Sequence, residues 1–265
     1  MDGRPRRIGV EIEIAGSSAR TLAAALRDLR GGHLVELDPF RFRVEGSALG
    51  AITVELDLRL AHPPADAVTG PRRWLARAIG VAVSRLVPVE LIFEPLPLAR
   101  LPELDRLMQE LLGRMPGLRL DGPHLNPEAA SLAPHHLVAH LRAFVRLAPE
   151  LRAEMGVPAP GRIGFLTAYP PRYQALVSDP AYRPDRDRLI DDYLAANPTR
   201  YRELDLLPLL STLAPERVRQ RLWLQKIKPR PVFHWRMPAA RPFAGVVADW
   251  NRWVAVERLA AAITG

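Results

Sequence analysis

Three segments of this chain alternate apolar and acidic residues strictly enough to dictate a sheet. Residues 10–14 read VEIEI, 53–57 read TVELD and 88–95 read PVELIFEP. Successive side chains of a strand point to opposite faces. Val10, Ile12 and Ile14 therefore share one face and Glu11 and Glu13 the other. In the same way Glu55 and Asp57 oppose Val54, Leu56, Leu58 and Leu60, while Glu90, Ile92 and Glu94 oppose Val89, Leu91 and Phe93. A single strand of this kind is ordinary in an antiparallel sheet with one wet face. On neighbouring strands, however, the acids would crowd one surface, and like charges directly opposite are destabilising. Water, arginines such as Arg43 and Arg59, or a divalent ion preferring hard oxygen ligands would each relieve the repulsion. Mg²⁺ bridging the phosphates of a nucleotide is the commonest arrangement of the last kind.

The other elements follow from periodicity and punctuation. A strand is expected over 7–15 and a capped helix in SSARTLAAALRDLRGG, ending at Gly31 and Gly32. HLVELDPFRFRVEG supplies one or two short strands, and TGPRRWLARAIGVAVSRL a helix with proline in its first turn. LPELDRLMQELLGRM is an amphipathic helix, followed by a loop-like GLRLDGPHLNPEAA. From about Pro134 the chain is mostly helical, with a terminal helix over about 246–263 and one returning strand in RPVFHWRMP. Strands followed by helices predict a single α+β domain over 1–265, built on a mainly antiparallel sheet.

Composition narrows the function classes. With 48% apolar and 25% charged residues the 265-residue chain has the makings of a sizeable core. Its net charge of +8 raises nucleic-acid binding, but the charge comes from scattered arginines. Lysine occurs only at Lys226 and Lys228, and aromatics make up 6%. A nucleic-acid surface would concentrate its basic residues in a stripe with interleaved aromatics. There is no cysteine, hence no disulfide, thiolate metal site or thiol nucleophile. The start MDGRPRRIGVEIE lacks the apolar core of a signal peptide, and AIGVAVSRLVPVELIF is broken by Arg85 and Pro88, so a cytoplasmic protein without a membrane span is expected. Neither a phosphate-binding GxxxxGK[ST] loop, nor GxGxxG after a strand, nor GxSxG occurs.

Two further segments carry chemistry. In DGPHLNPE, His124 and Asn126 project to the same side if the segment is extended, offering two polar heads to one ligand; the glycine and prolines fit a plain turn equally. In VFHWRMP, His234 and Arg236 alternate against Phe233 and Trp235. An arginine on a strand face suits a forked grip on a carboxylate or phosphate, or else a cross-strand salt bridge.

These residues together carry a resemblance. An acidic E-x-E strand near the start, a G-x-H-x-N loop and a late strand ending in x-R-x-P follow one another as in the glutamine synthetase and glutamate–cysteine ligase superfamily. More closely, the chain resembles the bacterial amidoligase family of that superfamily. The matching segments are RRIGVEIEIAG, DGPHLNPE, DPAYRPDRDRLIDDYLAANPTRYRELDLLPLL, KIKPRPVFHWRMP and WNRWVAVERLA, which extend from residue 6 to about 260. The resemblance implies a curved antiparallel sheet of the glutamine synthetase type, with helices on one face. It implies an ATP-dependent carboxylate–amine ligase, in which carboxylates hold Mg²⁺ (or Mn²⁺) over the ATP phosphates and an acyl phosphate is displaced by an amine of an amino acid, peptide or polyamine. Carried over by position, Glu11 and Glu13 match the metal-binding strand, with Glu55 and Glu90 as further metal ligands. His124 and Asn126 match the loop that touches nucleotide phosphate and substrate, and Arg236 the arginine on phosphate or carboxylate, so that Arg236 and His124 are the expected catalytic residues. Another ligase or an amidotransferase is the implied functional associate. One position departs from the pattern: glutamine synthetase has glutamate two residues before that arginine, and here it is His234, a softer metal ligand. That departure leaves a non-catalytic nucleotide-binding or partner-binding descendant as the alternative, and the net charge leaves a nucleic-acid module as a third.

Other acids and histidines are assigned structural roles. His136 and His140 lie four apart on an expected helix, without the glutamate of HExxH, and read as surface or capping residues. Asp191 and Asp192 read as a solvated, ion-paired helix face, and Asp205 between leucines as a helix boundary. Trp250 and Trp253 read as core.

Overall fold

The computed structural model describes residues 5–56, 87–157, 166–223, 225, 227–236 and 243–264. The protein is α+β with mainly antiparallel strand pairing. Its chain forms two compact units, Arg7–Pro123 and His124–Gly265 with Met1–Arg6.

The first unit is built on the acid-bearing strands. β1 (Arg7–Ala15), β2 (His33–Asp38), β3 (Arg41–Ser47), β4 (Gly50–Leu56) and β5 (Val89–Pro97) lie in the order β2-β3-β4-β5-β1, all antiparallel, with the two-residue β6 (Arg119–Leu120) on β1. Register places Ile12, Leu91 and Val54 in one apolar row and Val10, Phe93 and Ile52 in the next. All six are at most 2% exposed. Full burial of each such side chain contributes roughly 1.5–3 kcal/mol. Helices α1 (Ala19–Arg30) and α2 (Leu101–Arg114) supply the facing apolar stripes, with Leu22, Ala23 and Leu26 from one and Leu104, Leu107, Met108 and Leu111 from the other. Ser18 caps α1, its hydroxyl accepting from the Thr21 N–H at 3.1 Å. Gly31 at φ 72° ends it. The adjoining Gly32 also has positive φ, and a β-carbon there would collide with the Glu45 carbonyl. The bulge between β1 and β5 falls at Glu94 and Pro95, where proline has no N–H to lose from the ladder.

The second unit pairs three short strands in the order β7-β9-β8: β7 (His124–Pro127), β8 (Leu204–Asp205) and β9 (His234–Trp235). Its helices are α3 (Pro134–Met155), α4 (Pro171–Ser178), α5 (Arg186–Ala196), α6 (Leu207–Leu213), α7 (Pro215–Arg221) and α8 (Val246–Thr264). The core is aromatic. Trp235 meets Phe144 and Trp253 edge-on, Phe144 meets Tyr169, and Tyr173 and Tyr193 close the cluster. Arg6 ties the N-terminal segment to α8 through a forked pair with Glu257 and donates its Nε–H to the Glu128 carbonyl.

Apart from the segments named next, the expected strands and helices occur at their places, and HLVELDPFRFRVEG resolves into the β2–β3 hairpin. The segment expected as a loop around DGPHLNPE contains strand β7, and the alternation in RPVFHWRMP leaves a strand of only two residues. The helix expected in TGPRRWLARAIGVAVSRL, Asp57 and Arg59 lie outside the described residues. Among the described residues no helix is long and apolar enough to cross a membrane.

Candidate functional site

In the first unit the three acid-bearing strands are neighbours, β4-β5-β1. Register sets Glu13 opposite Glu90 and Glu90 opposite Glu55, so three carboxylates form one row across three strands. Residues directly opposite in an antiparallel pair have β-carbons about 4.5–5.5 Å apart. The row continues to Arg41, which faces Glu55 on β3 and pairs with it at 2.6 Å. Arg43 pairs with Glu94, so arginine answers the outer acids of β4 and β5. Glu11 lies two residues along β1 from Glu13, opposite Ile92, and is 9% exposed. Carboxylates are the donor type that hard divalent cations take.

In the second unit the His124, Asn126 and His234 side chains come from two adjacent antiparallel strands, and Arg236 directly follows the second. Leu125 pairs with Trp235, which sets His124 and Asn126 beside His234. The His124 and His234 rings stand edge to face with centroids 5.8 Å apart. One nitrogen of each lies within 4.8 Å of the other. His234 is 6% exposed, and its Nδ1–H donates to Asn126 Oδ1 at 2.6 Å. That bond orients the ring, as a hydrogen-bonding partner orients a metal-ligating histidine. Two imidazoles suit Mn²⁺ and borderline ions such as Zn²⁺ better than Mg²⁺.

Arg236 is 6% exposed. Its backbone N–H donates to the Glu203 carbonyl at 2.7 Å, and its Nη2 meets Asp205 Oδ2 at 3.6 Å. Asp205 is a strand residue, opposite His234 on β8, rather than part of a helix. Burial pushes its carboxyl up to about 6, against the pull of Arg236 and of the Leu207 N–H. Asp205 and the supporting Tyr193 were not legible as site residues, because no spacing connects them to Arg236 in sequence.

The histidines at 136 and 140 are both on α3, but His140 is buried, not at the surface. Its ring stacks on Phe233 with centroids 4.7 Å apart and bonds the His136 carbonyl through Nδ1 at 2.8 Å. Burial lowers both, His136 to about 4. They line a cavity of about 210 Å³ with Arg6, Phe233, Glu257 and Thr264. Asp191 pairs with Arg217 at 3.6 Å, and Asp192 accepts from the Tyr182 hydroxyl at 2.9 Å. Trp253 is core, while Trp250 lies under the Arg6 guanidinium.

The sequence model of the family described as "Putative amidoligase enzyme" matches residues 4–256. No curated protein and no solved structure matches the chain.

Proposed function

The chain belongs to the amidoligase family, and on that premise we propose that it is an ATP-dependent carboxylate–amine ligase of the glutamine synthetase superfamily, working in the cytoplasm. The family suggests an amide-bond-forming ligase. The observation that carries the finer reading is the row Glu13–Glu90–Glu55 across three adjacent strands. Like charges directly opposite are costly, and a cation held by the row offsets that cost.

In this reading Glu11, Glu13, Glu90 and Glu55 hold divalent ions. Bound Mg²⁺ or Mn²⁺ would supply charge neutralisation on the triphosphate. Arg236 grips a phosphate or the substrate carboxylate, whose geometry the planar guanidinium fork matches. His124 and Asn126 contact nucleotide phosphate and substrate, and His234 adds a nitrogen ligand. A substrate carboxylate oxygen attacks the γ-phosphorus, the bond to the β,γ-bridging oxygen breaks and ADP leaves. The amine nitrogen then attacks the acyl carbon, loses a proton and expels phosphate, leaving the amide. Such transfers depend on positioning and charge stabilisation rather than on a nucleophilic side chain. The amine acceptor is an amino acid, peptide or polyamine, and a second ligase or an amidotransferase would supply or use the product.

The test is product analysis with a panel of carboxylates and amines. ADP with phosphate, and a hydroxamate when hydroxylamine replaces the amine, support the acyl-phosphate route. AMP with pyrophosphate contradicts it. His234 in place of glutamate favours one second reading, a nucleotide-binding descendant without ligation. That reading predicts metal-dependent ATP binding with no turnover for His234→Glu as well as for the wild type.

A further inference from the structure

The buried pair Asp205–Arg236 differs in geometry from the Arg152–Glu203 pair of the second unit. Arg152 closes on Glu203 as a fork, Nε to Oε1 at 2.8 Å and Nη2 to Oε2 at 2.5 Å. That geometry is a structural clamp. Arg236 meets Asp205 through one Nη at 3.6 Å. Asp205 is itself anchored before it reaches the arginine. Its Oδ1 accepts from the Leu207 N–H at 2.8 Å and from the Tyr193 hydroxyl at 3.5 Å. The Tyr193 oxygen in turn accepts from the Leu206 N–H at 3.0 Å. Tyr193 is fully buried on α5 and packs edge-on against Tyr169 and Tyr173, so it cannot swing. Strand β8 and the start of α6 thus present one oriented carboxylate to one guanidinium. A buried carboxylate is expensive unless its partner needs it.

We propose that Asp205 is a positioning residue that fixes the direction of the Arg236 guanidinium, with Tyr193 and the Leu207 N–H fixing Asp205. The role given to Arg236 rests on the ligase reading; the positioning does not. Asp205 touches no reacting atom and acts only through the arginine. Because a guanidinium recognises phosphate by the geometry of its N–H fork, an arginine that loses an orienting carboxylate loses affinity for the terminal phosphate while the fold survives.

The experiment joins a ligand-free readout to a binding readout. The Arg236 Nε–H resonance, assigned by its loss in Arg236→Gln, is followed in wild type, Asp205→Asn and Tyr193→Phe. Glu203→Gln serves as a control that perturbs the neighbouring clamp. Asp205→Asn should shift that resonance and speed exchange of that N–H, with a smaller effect in Tyr193→Phe and none in the control. Affinity for Mn·ATP should fall about tenfold in Asp205→Asn, that for Mn·ADP should change little, and Asp205→Asn with Arg236→Gln should bind no worse than Arg236→Gln alone. If Asp205→Asn does not fold, Tyr193→Phe decides by the same resonance. An unchanged Arg236 resonance in the folded variants overturns the proposal whatever the nucleotide does. A wild type that binds no ATP overturns the ligase reading, and the resonance still decides the positioning.

Discussion

His234 donates its Nδ1–H to Asn126 Oδ1 at 2.6 Å, across 108 residues of sequence. The bond orients a buried ring beside His124. Loss of such an orienting partner typically costs 10–100-fold in metal affinity. Asn126→Ala should therefore weaken Mn²⁺ binding by about 10–100-fold. His234→Glu should shift preference from Mn²⁺ toward Mg²⁺, since it replaces a nitrogen with hard oxygens. Metal titrations of the three proteins check both outcomes.

The carboxylate row gives a stability effect whose sign depends on the metal. Glu90 stands opposite both Glu13 and Glu55. In chelator, Glu90→Gln should stabilise the protein by roughly 0.2–1 kcal/mol, the cost of like charges directly opposite. In millimolar Mn²⁺ the variant should be the less stable of the two, because it has lost a ligand that links metal binding to folding. Thermal unfolding with and without metal reads the reversal.

Asp205 predicts a pH dependence. Burial raises its carboxyl from the ordinary 3.8 to about 6. A folded-state value above the unfolded one means that the folded chain holds the proton more tightly. This contribution is fully present below about pH 3.8 and is lost as pH rises through about 6. A rise of that size corresponds to about 3 kcal/mol. Asp205→Asn lacks this slope. Between pH 4 and pH 7 its unfolding free energy should gain on that of the wild type by up to about 3 kcal/mol in urea titrations.

The clamp between Arg152 and Glu203 should matter for stability and not for nucleotide binding. The Glu203 side chain has no exposed surface. Arg152→Ala would strand that carboxylate, at a cost of about 3–5 kcal/mol in denaturant unfolding, because removal of one partner leaves an uncompensated buried charge. Affinity for Mn·ATP below the unfolding transition should be unchanged.

The parts legible in sequence were those whose signal is local. Alternation in VEIEI, TVELD and PVELIFEP marks strands that do lie side by side, because the same pattern that buries Ile12, Leu91 and Val54 in one row puts the glutamates in the next. Ser18 and Gly31 marked the ends of α1 for equally local reasons. Strand β7 was hidden because its pairing partner, Trp235, is distant and because Pro123 before it and Pro127 at its end read as turn. Helices α4, α6 and α7 are only seven or eight residues long, too short for a clear period. Asp205 was read as a boundary acid because a two-residue strand has no pattern of its own, and its meaning comes wholly from Arg236 and Tyr193. His140 showed the opposite limit: a polar residue on α3 is buried because it stacks on Phe233, a contact that spacing does not encode.

The central claim is that the glutamates of β1 bind a divalent ion carrying ATP. Calorimetry of Mg·ATP and Mn·ATP binding to the wild type, Glu11→Gln and Glu13→Gln tests it most directly, with circular dichroism to confirm that each variant is folded. The account predicts metal-dependent binding by the wild type and a loss of at least about tenfold in each variant. Wild-type affinity for both nucleotide complexes in both folded variants would contradict it.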